Sequence, residues 1–174
     1  DMNIYALSSG RGPSGIAIIR LSGENALKIS ELITQKKILK SKETNLCKFY
    51  DPSNNTLIDE GLLLSFPSPN SFTGDDLVEF HIHGGNAVIF YFLRVLSEQD
   101  NCRLAEPGEF TKIAFLNNKI DLIEAESIGD LINSETEMQR LQAVKLTQGK
   151  ASSYYNDLRE KLIKSLAYIE AKID

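Results

Sequence analysis

Residues 121–174 contain no proline and only two glycines, Gly129 and Gly149. Such a stretch lacks the residues that interrupt helices. Its apolar positions also recur at helical spacing: Tyr155, Leu158, Leu162, Leu166, Ile169 and Ile173 fall three or four residues apart. The pattern predicts two long helices forming a hairpin, with the bend near Gly149. Two helices carrying one apolar stripe each cannot bury both stripes completely. Partner helices are therefore expected, from further chain or from a second copy.

The preceding residues are built differently, with glycine, proline and asparagine turns between short β-branched runs. Residues 3–9 read as a strand with Ile4, Ala6 and Ser8 on one face and Tyr5 and Leu7 on the other. Residues 16–21 read as a nearly all-apolar strand, expected to be buried on both faces. A helix is expected over about 24–33, with Ala26, Leu27, Ile29, Leu32 and Ile33 as its apolar stripe. Strands are expected at 46–50 and 60–66, around a turn holding Asp51-Pro52 and Asn54-Asn55. Residues 67–74 form a loop, and 77–83 alternate cleanly as a strand that Gly84-Gly85 ends. A largely apolar helix follows from 86 to 96, then a short strand at 103–105. Pro107 opens a further helix to about 116, with Glu109 in its first turn. The expected class is α+β, a mixed α/β domain followed by a truncated all-α hairpin.

Composition narrows the function classes. Hydrophobic residues make up 42% of the 174 and charged residues 25%, which fits a folded chain rather than a disordered one. Two cysteines, Cys47 and Cys102, do not make a disulfide framework and point to a reducing, cytoplasmic compartment. The longest strongly apolar run, 87–93, is far short of the ~20 residues of a membrane span, and no secretory signal opens the chain. The net charge of −5 argues against this segment as a main nucleic-acid surface. Lys36, Lys37, Lys40 and Lys42 read first as a solvated loop, and second as an anion contact.

Three motifs carry possible chemistry. Gly10-Arg11-Gly12-Pro13-Ser14-Gly15 matches the dinucleotide fingerprint G-x-G-x-x-G, but that reading requires a helix next, and Ile16-Ala17-Ile18-Ile19-Arg20 is strand-like. A glycine-rich hairpin explains it better. In Glu79-Phe80-His81-Ile82-His83-Gly84-Gly85, the strand period puts Glu79, His81 and His83 on one face, about 6.5–7 Å apart. A metal site there needs further ligands, such as Asp75 or Asp76; structural or ligand-lining histidines are the favoured reading. The third motif, Glu106-Pro107-Gly108-Glu109-Phe110-Thr111 followed by Ala114-Phe115-Leu116-Asn117-Asn118-Lys119-Ile120-Asp121, reads as helix start, helix, polar turn and a second helix start, with Asp121 as a candidate cap.

Together these segments resemble the MnmE (TrmE) family of tRNA-modification GTPases. The resemblance rests on 9–23 with Ile18-Ile19-Arg20-Leu21-Ser22-Gly23, on 66–85 with Phe72-Thr73-Gly74-Asp75-Asp76 and His83-Gly84-Gly85, and on 103–132 with Pro107-Gly108-Glu109-Phe110-Thr111 and Asp130-Leu131-Ile132. It implies a folate-binding and dimerisation domain over 1–118, similar to aminomethyltransferase domains, and the first part of a helical domain over 119–174. It implies 5-formyltetrahydrofolate or 5,10-methylenetetrahydrofolate as cofactor, a homodimer, and the flavoprotein MnmG (GidA) as partner in modifying C5 of the wobble uridine of tRNA. GTP, magnesium and potassium belong to the family's GTPase domain; no G-x-x-x-x-G-K-[ST] occurs here, nor the family's C-terminal cysteine motif. No catalytic residue and no metal ligand is therefore assigned, and turnover is not expected from these residues alone.

Arg20, Glu79 and Lys119 match the family's folate contacts. A pterin edge presents an N–H beside an amino group, and the Glu79 carboxylate can accept both. Arg20 and Lys119 are suited to the carboxylates of the folate tail. The alternative for Arg20 and Glu79 is an inter-strand ion pair. Two other functions compete: a free-standing folate-dependent aminomethyltransferase, against which the helical tail argues, and a scaffold whose folate pocket has decayed, against which Arg20, Glu79 and Lys119 argue.

Overall fold

A computed structural model describes residues 2–9, 15–37, 44–83, 85–120 and 125–173. The elements are β1 (Asn3–Ser9), β2 (Ile16–Ser22), α1 (Ala26–Thr34), β3 (Thr44–Tyr50), β4 (Leu57–Phe66), β5 (Leu77–His83), α2 (Asn86–Ser97), β6 (Cys102–Leu104), α3 (Glu109–Leu116) and α4 (Ala125–Ile173). The strands form one sheet in the order β3-β4-β5-β2-β1-β6, antiparallel except where β6 runs parallel to β1. The α+β class holds: a mixed domain followed by a helical segment. Most of the glycine-rich turn, Lys40, Lys42, Gly84 and Asp121 lie outside the described residues.

Strand alternation sorts the side chains. Leu7, Ile19, Leu21, Phe80 and Phe49 face α1 and α2 and build the main core with Ile29, Ile33, Phe92 and Leu96. Phe49, Phe80 and Phe92 pack there with ring centroids 4.8–5.6 Å apart, two of the pairs edge to face. β2 is not buried on both faces as expected. Ala17, Ile19 and Leu21 are fully buried, but Ile16 is 39% exposed and Ile18 and Arg20 are only partly covered. The reason is that, among the described residues, no helix lies over the whole of the second face. There, Ile4 and Ala6 pack under Phe110 of α3, flanked by Phe72 and Ile113. Leu32 of the α1 stripe is also half exposed.

The largest departure from expectation is α4. It runs unbroken from Ala125 to Ile173, with no bend at Gly149. Gly149 is buried, and a Cβ there would collide with the Phe90 ring of α2. The glycine is therefore a close-approach residue where two helices cross, and the helix tolerates it at a cost of about 1 kcal/mol relative to alanine.

α4 docks through a polar stripe as well as through Leu141 and Leu146, which pack against the main core. β6 pairs only with Asn3, Ile4 and Tyr5 of β1, so the edge is bare by Leu7. Gln142 closes it, its Oε1 accepting the Leu7 N–H at 2.8 Å. Glu135 accepts the N–H groups of Phe110 (2.8 Å) and Thr111 (3.1 Å), capping an α3 start whose own cap residue, Gly108, has no side chain to do so. Gln139 accepts from Gly108 N–H at 3.1 Å and donates to Glu106 O at 2.8 Å. Lys145 donates to Asn86 at the start of α2. Positions 135, 139, 142, 145 and 149 share one helix face. Beyond Gly149 the expected apolar stripe stands open, with Tyr155, Leu162 and Leu166 all more than half exposed. No helix among the described residues is long and apolar enough to cross a membrane.

Two measurements test this packing. Gly149→Ala relieves a helix penalty of about 1 kcal/mol at an open site, but here it forces a carbon into Phe90; the urea midpoint falls, and a rise would show that α4 and α2 are not in close contact. The second concerns Arg103, which donates to both oxygens of Glu109 at 2.7 Å. These bonds, helped by the Glu106 N–H, hold the Glu109 carboxyl below its ordinary value. The unfolded value is about 4.3, so this stabilisation is complete above that pH and lost as pH falls through the lower folded value. Glu109→Gln therefore loses less stability between pH 6 and pH 3 than the parent chain, and equal losses would contradict the pairing.

Candidate functional site

The register of β2 against β5 sets Arg20 directly opposite Glu79, on the face turned away from the main core. Ala6 of β1 lies opposite Arg20 on its other side, and its small side chain leaves room above the strand. Two residues further along β5, His81 shares the Glu79 face. The Arg20 guanidinium lies 5.0 Å from the Phe72 ring centroid and 5.4 Å from that of Phe110, within cation–π range of both. Beside it is a cavity of about 270 Å³ lined by Leu7, Ser8, Arg20, Phe72, Phe110, Thr111, Leu131, Ser134 and Glu135. That is just below the roughly 300–1,000 Å³ of small-molecule sites, enough for a bicyclic head group but not for a long ligand in full.

Phe72 is delivered by the loop between β4 and β5. Thr73 and Ser22 hydroxyls meet at 2.7 Å, tying the loop to the end of β2. Ser71 bonds the Asp75 carbonyl and receives the Gly74 N–H. Asn117, just after α3, donates to Thr73 O at 2.7 Å. Gly74 has φ +85°, and a Cβ there would meet Asn117 and lie 3.3 Å from Lys119 Cε. Only glycine suits that turn. Lys119 is thus placed, exposed, against the loop that carries Phe72.

The charges are close without being fully joined. Arg20 Nη2 is 3.8 Å from Glu79 Oε1, and His81 Nε2 is 3.5 Å from Glu79 Oε2. The inter-strand ion pair is present but loose, well beyond the ~2.7–2.9 Å of a charge-assisted hydrogen bond. Burial pulls Arg20 down from the ordinary guanidinium value, opposed by Glu79 and Glu135. Among the described residues, the buried side-chain polar atoms with no hydrogen-bond partner are Arg20 Nε and His81 Nε2. Unmet buried polar atoms are rare and costly, and both residues border one carboxylate.

The two histidines part company. His83 Nδ1 lies 2.9 Å from Asp59 and its backbone N–H donates to the same carboxylate, with the ring largely in solvent. Among the described residues no cluster of three His, Cys, Asp or Glu is placed to hold a metal. Burial pushes the Cys102 thiol up to about 12 and raises that of Cys47, so neither is an activated nucleophile. After the glycine-rich turn Ile16 enters strand β2, not a helix, which removes the dinucleotide reading. Phe72, Phe110, Ser134 and Glu135 were not singled out from sequence. The available signal for Glu135 was a polar stripe, Glu135, Gln139, Gln142 and Lys145, at helical spacing.

Comparison with known proteins agrees with this architecture. Residues 3–119 match the family described as GTP-binding protein TrmE N-terminus, and residues 122–174 match the MnmE helical domain. The chain is 53% identical over 173 residues to the tRNA modification GTPase MnmE of Pelagibacter ubique, covering 99% of this chain and 39% of that protein. It is 48% identical to the MnmE of Parvibaculum lavamentivorans, with 98% and 39% covered. It is 47% identical to the mitochondrial tRNA modification GTPase gtpbp3 of Dictyostelium discoideum, with 98% and 35% covered. It therefore spans well under half the length of these relatives, and with matches to both successive domains the chain belongs to the MnmE (TrmE) family of tRNA-modification GTPases.

Proposed function

We propose that this chain is the tetrahydrofolate-binding, dimerising N-terminal part of a cytoplasmic tRNA-modification GTPase that acts with the flavoprotein MnmG on C5 of the wobble uridine. The observation that carries the folate reading is a partly buried guanidinium with a buried, unpartnered Nε, lining a ring-sized cavity and standing opposite a carboxylate on the neighbouring strand. Glu79 would accept the paired N–H and amino donors of a pterin, while Arg20 and Lys119 supply positive charge for an acidic ligand. Bound there, 5-formyltetrahydrofolate or 5,10-methylenetetrahydrofolate would supply the one-carbon unit. GTP hydrolysis, with its magnesium and potassium, is assigned to the family's GTPase domain. With net charge −5, the main tRNA contacts are placed elsewhere too.

The dimer reading is supported by the row Leu46–Leu62–His81–Ile18, which crosses β3, β4, β5 and β2 next to the site. Leu46 is 66% exposed and Leu62 37%. Apolar side chains on an open sheet face favour a partner surface. The double variant Leu46→Glu, Leu62→Glu should sediment as a monomer where the parent chain is a dimer; a monomeric parent, or a dimeric variant, contradicts this interface.

Folate binding is tested by calorimetric titration with 5-formyltetrahydrofolate. Glu79→Ala should weaken binding at least tenfold, about 1.4 kcal/mol. Unchanged affinity would remove Glu79 from the site.

A further inference from the structure

We infer that His81 is a ligand-binding residue, the outer donor of a four-atom array that reads the 2-amino-4-oxo edge of a pteridine. The inference rests on the folate reading above and extends it to ring recognition. Glu79 presents Oε2 toward His81 Nε2 at 3.5 Å and Oε1 toward Arg20 Nη2 at 3.8 Å. With the His81 proton on Nε2, the order across the site is donor, acceptor, acceptor, donor. A pteridine edge carries the complementary order: ring N1 accepts, the 2-amino group and N3–H donate, and the 4-oxo group accepts.

The spacing supports a site held open rather than a finished ion-pair cluster. Elsewhere in the same chain, Arg103 meets Glu109 at 2.7 Å and His83 meets Asp59 at 2.9 Å. Glu79 has a partner on each flank and closes on neither. Aromatic packing of the Arg20 guanidinium against Phe72 and Phe110 holds it back from Glu79. Among the described residues, the two buried side-chain atoms left without partners are His81 Nε2, which is in the array, and Arg20 Nε, which belongs to the guanidinium whose Nη2 ends it. A ligand that engages the cluster removes the cost of leaving such buried groups unmet. This geometry gives Arg20 to the ring and leaves Lys119, exposed on the loop after α3, for the acidic tail.

The same edge occurs in guanine, so the test must separate the two sources. The chain has two histidines, which makes imidazole 15N NMR selective, and His83→Gln assigns the signals. Saturating the whole chain with 5-formyltetrahydrofolate should move the His81 Nε2 resonance and leave that of His83, which is held by Asp59. In titrations His81→Leu should bind at least tenfold more weakly, and His81→Gln, which keeps a donor, should recover most of the loss. Folate binding with an unmoved His81 signal and unaltered His81→Leu affinity would overturn this inference while leaving the folate reading intact. Binding of guanosine but not folate, with the His81 shift, would support the array and replace its ligand. Binding of neither would overturn both. If His81→Leu does not fold, the parent-chain spectrum decides alone.

Discussion

The bare edge of β1 governs the rest of the structure. β6 is too short to cover it, and an open strand edge is an invitation to unwanted pairing. α4 closes that edge with Gln142 and, in the same pass, caps α3 with Glu135 and fixes the start of α2 with Lys145. The Gln142 and Glu135 bonds satisfy backbone donors that would otherwise be buried unmet. They also lay Leu131, Ser134 and Glu135 over the cavity beside Arg20. The cavity of the candidate site is consequently lined from both family-matched segments, not from the first alone.

A guanidinium lining that cavity needs compensation, because burying a charge is expensive without partners. Arg20 receives it from several weak sources: two aromatic faces, Glu79 at 3.8 Å and the field of Glu135. None saturates its donors. The tight Arg103–Glu109 pair shows what this chain does when a cation serves only to fasten one element to another. The contrast separates a structural pair from a cluster still able to take a ligand.

Much of this was legible in the residues. β1 and β5 have the expected bounds, since alternation and flanking turns are strong signals. α3 begins at Glu109, two residues after the Pro107 start expected for it, with Glu109 in its first turn as expected. Resemblance points to Arg20, Glu79 and Lys119, and the β2–β5 register explains why Arg20 and Glu79 stand together. What was not legible is tertiary. A polar stripe on a long helix reads as solvent-facing, yet Gln139, Gln142 and Lys145 are buried because the surface they meet is unpaired backbone and polar side chain. Gly149 reads as a hinge, because a missing side chain looks alike whether it permits a bend or a close approach. Phe72 and Phe110 are ordinary apolar residues until the loop and α3 bring them to Arg20.

A crystal structure of the chain with 5-formyltetrahydrofolate tests the central claim most directly. The account predicts the pteridine against Glu79, with Arg20 Nε and His81 Nε2 both engaged and Lys119 toward the acidic tail. A ligand bound away from β2 and β5, with those two atoms still unpartnered, would contradict it.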